Sequence, residues 1–177
     1  YKKINDNVGI PIIIYNIPSR SVIDMSVETM TRLFELKNIV GVKDATGDLK
    51  RAEQQHKAMG DKFIMLTGED GNAIEFNKKG GTGCISVTAN VAAKLCSEMQ
   101  NASLQKNNED LQKKAEEINK ILTPLNNSLF IESNPSPVKY AASLLKLSSD
   151  DVRLPLVKIT DPTKSAVKKA LEHATLL

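Results

Sequence analysis

Apolar positions first gather into a strand-length run at Ile10-Pro11-Ile12-Ile13-Ile14-Tyr15, with proline at its entry, where a missing N–H is tolerated. Asn16 to Arg20 then predict a loop. From Met25 to Leu36 the spacing turns helical: Ser26 can act as N-cap, and Met30, Leu33 and Phe34 share a face. Ile39 to Lys43 is a second strand, β-branched in composition, and Asp48 is placed to cap a charged helix running to about Met59. Phe63 to Thr67 predicts a third strand, followed by Gly68-Glu69-Asp70 and a helix to about Lys79. Gly80-Gly81-Thr82-Gly83 leads into a fourth, Cys84 to Val87. Strands alternating with helices at this spacing run parallel, joined by right-handed crossovers. Tyr1 to Gly9 reads as the frayed end of another element.

No strand pattern recurs after Val87. Two helices are expected between about Val91 and Leu122, broken near Asn107-Asn108, with a solvated charged face over Asp110 to Lys120. A loop containing Asn134-Pro135-Ser136-Pro137 precedes a helix from about Val138 to Leu145. After the irregular Arg153-Leu154-Pro155-Leu156, a last helix spans Pro162 to about Ala174, with Asp161 as N-cap and Pro162 at its first position. The chain thus divides into an α/β part, residues 1–106, and an all-helical part, residues 107–177. Four parallel strands leave two unpaired edges, so the first part is either an open sheet or half of a barrel that needs eight strand–helix units and about 250 residues.

Composition narrows the function. A net charge of +3 on 177 residues, with lysines scattered rather than clustered, argues against nucleic acid as a partner. Four percent aromatics and no Trp leave no platform for stacking bases. No apolar run reaches the roughly 18 residues of a membrane span, and Tyr1 to Asn7 do not resemble a signal peptide, so a soluble, cytoplasmic protein is expected. Cys84 and Cys96 lack CxxC spacing and read as reduced, packed thiols. His56 and His173 sit alone on charged helical stretches, so a metal site is not expected.

The chemistry concentrates where strands end. Lys43 closes the second strand, and a polar turn, Asp44-Ala45-Thr46-Gly47-Asp48, follows at once. Desolvation disfavours an ammonium and can make a lysine amine nucleophilic toward a carbonyl carbon, forming a Schiff base. The same pattern also fits a lysine that merely reaches solvent as its strand ends. Tyr15 closes the first strand, and its phenol could relay the protons that carbinolamine formation and dehydration require, or could simply face water. Both lie at the carboxyl ends of strands, where parallel α/β folds carry their sites. Gly41, one pleat below Lys43, is expected to leave room for the lysine stem. Arg20, in the loop beyond Tyr15, could hold a carboxylate bidentately. Asp44 should point to the opposite face and act structurally. The glycine cluster at 80–83 enters a strand, whereas a phosphate loop opens a helix, so it is read as a turn.

Four motifs together resemble the dihydrodipicolinate synthase family of class I pyruvate-dependent aldolases and lyases. They are Tyr15 to Arg20, Gly41 to Asp48, Gly80 to Asn90 and Asn134 to Lys139. The resemblance implies the C-terminal half of a (β/α)8 TIM barrel, strands five to eight, followed by an all-helical C-terminal domain. It implies that Lys43 forms a Schiff base with pyruvate, that Tyr15 relays protons and that Arg20 receives the carboxylate of aspartate semialdehyde. It further implies that Gly68 and Ile85 line the pyruvate pocket, Ile85 through its backbone. The implied reaction condenses the two substrates on the route to diaminopimelate and lysine, with no cofactor beyond the covalent adduct, in a homotetramer.

The absent half-barrel would hold a threonine pair and a neighbouring subunit's tyrosine, so an isolated piece of this length is expected to be inactive. Two readings stand beside this one: a folded, non-catalytic fragment, and an N-acetylneuraminate lyase or keto-deoxy sugar-acid aldolase of the same superfamily. Family members usually carry glycine shortly after the arginine; here Ser21 and Val22 follow, and an extended backbone is expected at that position.

Overall fold

Four short parallel strands organise the first part of the chain, in the spatial order β1 (Ile12–Asn16), β2 (Ile39–Asp44), β3 (Ile64–Thr67) and β4 (Gly83–Cys84). The computed structural model describes residues 1–177, which fall into two compact units, Tyr1–Ile85 and Ser86–Leu177. The sequence-based boundary at residue 106 lies inside the second unit, between two of its helices.

In the first unit α1 (Lys2–Asn7) precedes β1. α2 (Pro18–Ser21) and α3 (Val27–Phe34) connect β1 to β2, α4 (Leu49–Met59) connects β2 to β3, and α5 (Ala73–Lys78) connects β3 to β4. Both expected caps form: Ser26 accepts from the Thr29 N–H, and Asp48 accepts from the Lys50 and Arg51 N–H groups. The sheet face toward the helices is sealed. Ile14, Val42 and Met65 pack with Met30, Ala52, Met59 and Phe76, and Phe63 meets Phe34 edge to face at 5.0 Å. Each large side chain buried here contributes about 1.5–3 kcal/mol. The opposite face is open, with Ile13 41 % and Ile64 38 % exposed.

Three expectations about the first unit change. Asn16 to Arg20 is not wholly a loop, because Pro18 presets the backbone for the one-turn helix α2. The first strand begins two residues later than the apolar run, at Ile12. The fourth is two residues long: Ile85 N–H still donates to Thr67 O at 2.9 Å, but the Ser86 hydroxyl then accepts from Ala89 N–H at 2.8 Å and turns the chain into a short 3-10 turn, Thr88–Asn90.

The second unit holds α6 (Ala93–Ser103), α7 (Glu109–Ser128), α8 (Ser136–Leu144) and α9 (Asp161–His173). The break expected near Asn107-Asn108 is present, with Asn108 capping α7 through Leu111 N–H. α7 continues through Pro124 to Ser128, beyond its expected end. Its buried stripe Ala115, Ile118, Leu122, Leu125 and Leu129 keeps helical spacing across the proline, so packing outweighs the lost hydrogen bond. α8 starts two residues early, and α9 is capped from Thr160, not Asp161. No helix is long and apolar enough to cross a membrane.

Thr160 makes no side-chain cap of its own; its N–H and hydroxyl both donate to Glu132 Oε1, at 2.9 and 2.8 Å. These bonds, with one from Thr163 as the largest cause, hold the Glu132 carboxyl below its ordinary value of 4.5. Its stabilising effect is therefore full above that value and lost as pH falls through the lowered one. Glu132→Gln should lower the melting temperature at neutral pH, and the gap from the parent should close on acidification below about pH 4.5; a gap independent of pH would refute the assignment.

Candidate active site

The strand register sets Tyr15 opposite Lys43, Lys43 opposite Leu66, and Leu66 opposite Gly83. All four stand on the open face at the carboxyl ends of their strands. The two residues singled out on separate strands are therefore direct neighbours: Lys43 Nζ lies 3.9 Å from the centroid of the Tyr15 ring. Contact runs through the ring face, in the geometry of a cation–π pair. Tyr15 is 49 % exposed and Lys43 half-buried, so both can be reached from the open face.

Room for the lysine comes from a different glycine than expected. A Cβ on Gly41 would collide with the Ile64 carbonyl oxygen and stand 2.7 Å from Ile64 Cβ, so Gly41 serves the approach of β3. A Cβ on Gly68 would stand 3.1 Å from Lys43 Cε and 2.9 Å from Ala45 Cβ. Gly68, anchored by its N–H to Asp44 O at 2.7 Å, thus borders the lysine stem directly. Ile85 sits at the end of β4, two strands from β2.

Arg20 lies on α2, exposed and in no ion pair. The turn that carries it closes on Val22, whose N–H donates to Pro18 O and whose φ is 66°. This corrects the extended backbone expected there. A β-branched residue in the left-handed region costs about 1–3 kcal/mol and persists only where the surroundings over-determine it.

Those surroundings were not legible from motifs. Asp44, as expected, faces away from Lys43, and it is met there by buried Arg51, with Nε 3.0 Å from Asp44 Oδ2. Asp44 Oδ1 accepts from the Thr46 N–H and hydroxyl. Arg51 also reaches Asp24 Oδ2 through Nη1 at 3.2 Å and the Met25 carbonyl through Nη2. Asn16, paired in register with Asp44, donates to Asp24 Oδ1 at 2.8 Å and accepts from Met25 N–H. The available signal was positional: Arg51 and Gln55 share a helical stripe with apolar Ala52 and Met59. Glu69 was also missed. Crowding by protein atoms pushes its carboxyl above the ordinary value, neighbouring Asp70 adds to this, and the Lys43 charge opposes it.

Known proteins resemble the chain throughout. The model of the Dihydrodipicolinate synthetase family matches residues 1–174. A 4-hydroxy-tetrahydrodipicolinate synthase of Pelagibacter ubique is 68 % identical over all 177 residues, which cover 60 % of that protein. Among solved structures, a chloride-inhibited dihydrodipicolinate synthase of Acinetobacter baumannii complexed with pyruvate superposes with a TM-score of 0.94 at 38 % identity, over 100 % of this chain and 60 % of that one. A monomeric variant of dihydrodipicolinate synthase gives 0.93 at 31 % identity, over 100 % of this chain and 59 % of its own. The chain therefore spans about 60 % of the length of the relatives it matches.

Proposed function

Since the chain belongs to the Dihydrodipicolinate synthetase family, we propose that residues 1–177 are the C-terminal part of a synthase that joins pyruvate to aspartate semialdehyde through a Schiff base on Lys43. The observation that carries this reading is the juxtaposition of Lys43 Nζ and Tyr15 at adjacent strand ends. The relative solved with pyruvate, over which this chain superposes along its whole length, supports the choice of first substrate.

In this reading the Lys43 amine, once deprotonated, attacks the ketone carbon of pyruvate. The carbinolamine then loses water to give an iminium. The Tyr15 phenol carries the protons that these steps and the later enamine formation exchange. The iminium is itself the electron sink, so no cofactor or metal is invoked. The enamine carbon adds to the aldehyde, whose distal carboxylate pairs with Arg20, a guanidinium left uncommitted by the rest of the chain. Gly68 supplies the clearance for the lysine stem, and the backbone at Ile85 borders the pyruvate pocket.

The proposed fold completes the site. β1 to β4 are read as the last four strands of a (β/α)8 barrel, with their open face as the barrel interior and the helical unit as a C-terminal domain. The remaining 40 % or so of a relative's length supplies the other half of the barrel. Turnover requires that half, and a homotetrameric, cytoplasmic enzyme of lysine biosynthesis is the assembly and setting we propose. Borohydride reduction of the full-length protein with pyruvate present should add a reduced pyruvyl group to the peptide bearing Lys43. An unmodified Lys43 peptide would sink the reading.

A further inference from the structure

Beyond the residues that meet substrate, we infer that Arg51 is a positioning residue, a buried hub that holds the Arg20 turn in register with the ends of β1 and β2. This rests on the proposed roles of Lys43, Tyr15 and Arg20, and deepens them by assigning second-substrate recognition to a clamp behind the sheet.

Arg51 is 7 % exposed and spends its guanidinium on three acceptors in two separate segments, the end of β2 and the loop before α3. Nε binds Asp44, the residue after Lys43; Nη1 binds Asp24 and Nη2 the Met25 carbonyl, both just beyond the Arg20 turn. Asn16, the residue after Tyr15, closes the ring by donating to Asp24 and accepting from Met25 N–H. Lys43 and Tyr15 face the open side, while their immediate successors face the clamp. The clamp thus joins the Arg20 turn, through Asp24 and Met25, to the strand ends, through Asp44 and Asn16.

The clamp also explains how Val22 keeps a φ of 66°. Residues 17–22 hold themselves together by local bonds: the Arg20 and Ser21 N–H groups donate to Ile17 O, Val22 N–H donates to Pro18 O, and the Ser21 hydroxyl donates to Ile17 O and Ile23 O. Such a turn would relax if its far end were free. Asp24 and Met25 pin that end to Arg51, and Asn16 pins it to β1. A planar fork with five donors can serve three acceptors at once, whereas a lysine ammonium on a flexible stem would not fix their mutual geometry. Among these groups Asp24 is the one at the surface, with a side chain 51 % exposed, so it can be removed while the buried Arg51–Asp44 pair stays intact.

The test compares Asp24→Ala, Asp24→Glu, Arg20→Ala and the double variant Asp24→Ala/Arg20→Ala in the full-length protein. Asp24→Ala should raise KM for the aldehyde by about tenfold, change kcat by less than about threefold and leave the rate of pyruvate trapping on Lys43 unchanged. Asp24→Glu should recover most of the loss. Because Asp24 acts through Arg20, its effect on KM should vanish in the Arg20→Ala background. Amide hydrogen exchange over residues 17–25 should quicken about tenfold in Asp24→Ala while β2 and α4 stay protected.

Additive effects of the two substitutions, a loss confined to kcat or to trapping, or unchanged exchange at 17–25 would each overturn the inference. Failure of the parent protein to trap pyruvate would defeat the proposed function instead. The exchange measurement would still decide whether the clamp holds the turn.

Discussion

Lys43→Arg in the full-length protein should abolish condensation, lowering kcat by at least about 10³-fold, and should leave no pyruvate adduct after borohydride reduction. A guanidinium can stack on the Tyr15 ring, which lies 3.9 Å from the native Nζ, so the strand ends need not rearrange. It cannot lose a proton at accessible pH and offers no free amine, so the covalent step has no nucleophile. Circular dichroism and melting temperature close to the parent's would separate this loss from unfolding. Residual turnover above a thousandth of the parent's, with a folded variant, would mean that another group carries the chemistry.

Gly41→Val should be the most destabilising single change in the sheet. Its Cβ would enter the Ile64 backbone, which belongs to a neighbouring strand and cannot rotate away as a side chain can. Overpacking against fixed backbone costs about 3 kcal/mol or more, a fall of roughly 6–12 °C in melting temperature for a chain of this size. Gly68→Ala offers the contrast, because its nearest side-chain obstacle beyond Ala45 is the flexible end of Lys43 at 3.1 Å. That substitution should shift the lysine and, through the 2.9 Å contact with Ala45 Cβ, lower the melting temperature by less than Gly41→Val does. A melting temperature for Gly41→Val within about 2 °C of the parent would show that β2 and β3 can part without cost.

Much of the first unit was legible because its signals are local. Ser26 and Asp48 sit where a polar acceptor can reach free N–H groups, and both cap as their positions required. Ile39 to Lys43 is an apolar, β-branched run of strand length ending on a lysine, and it forms β2. Signals that depend on a partner across space were misread. Pro124 ends a helix in isolation, yet Leu125 and Leu129 bury completely and carry α7 past it. Thr160 displaces Asp161 as the α9 cap because Glu132, 28 residues earlier, accepts both of its donors. Val22 was expected to be extended on its own preference, and the clamp around Asp24 holds it left-handed instead.

The sequence by itself determined which side chains could act. A lysine and a tyrosine ending consecutive strands, an arginine beyond the tyrosine and the motifs around them mark the candidates, because side-chain identity and strand period are written residue by residue. Tertiary structure alone decided how those groups meet. Strand register put Lys43 opposite Tyr15; close strand approach assigned Gly41 to β3 and left clearance for the lysine to Gly68. Arg51, which no motif marked, became the hub behind the sheet because burial turns a helix-face guanidinium into a group that must satisfy every donor. Such obligations arise between elements distant in sequence and become visible only when the chain has folded.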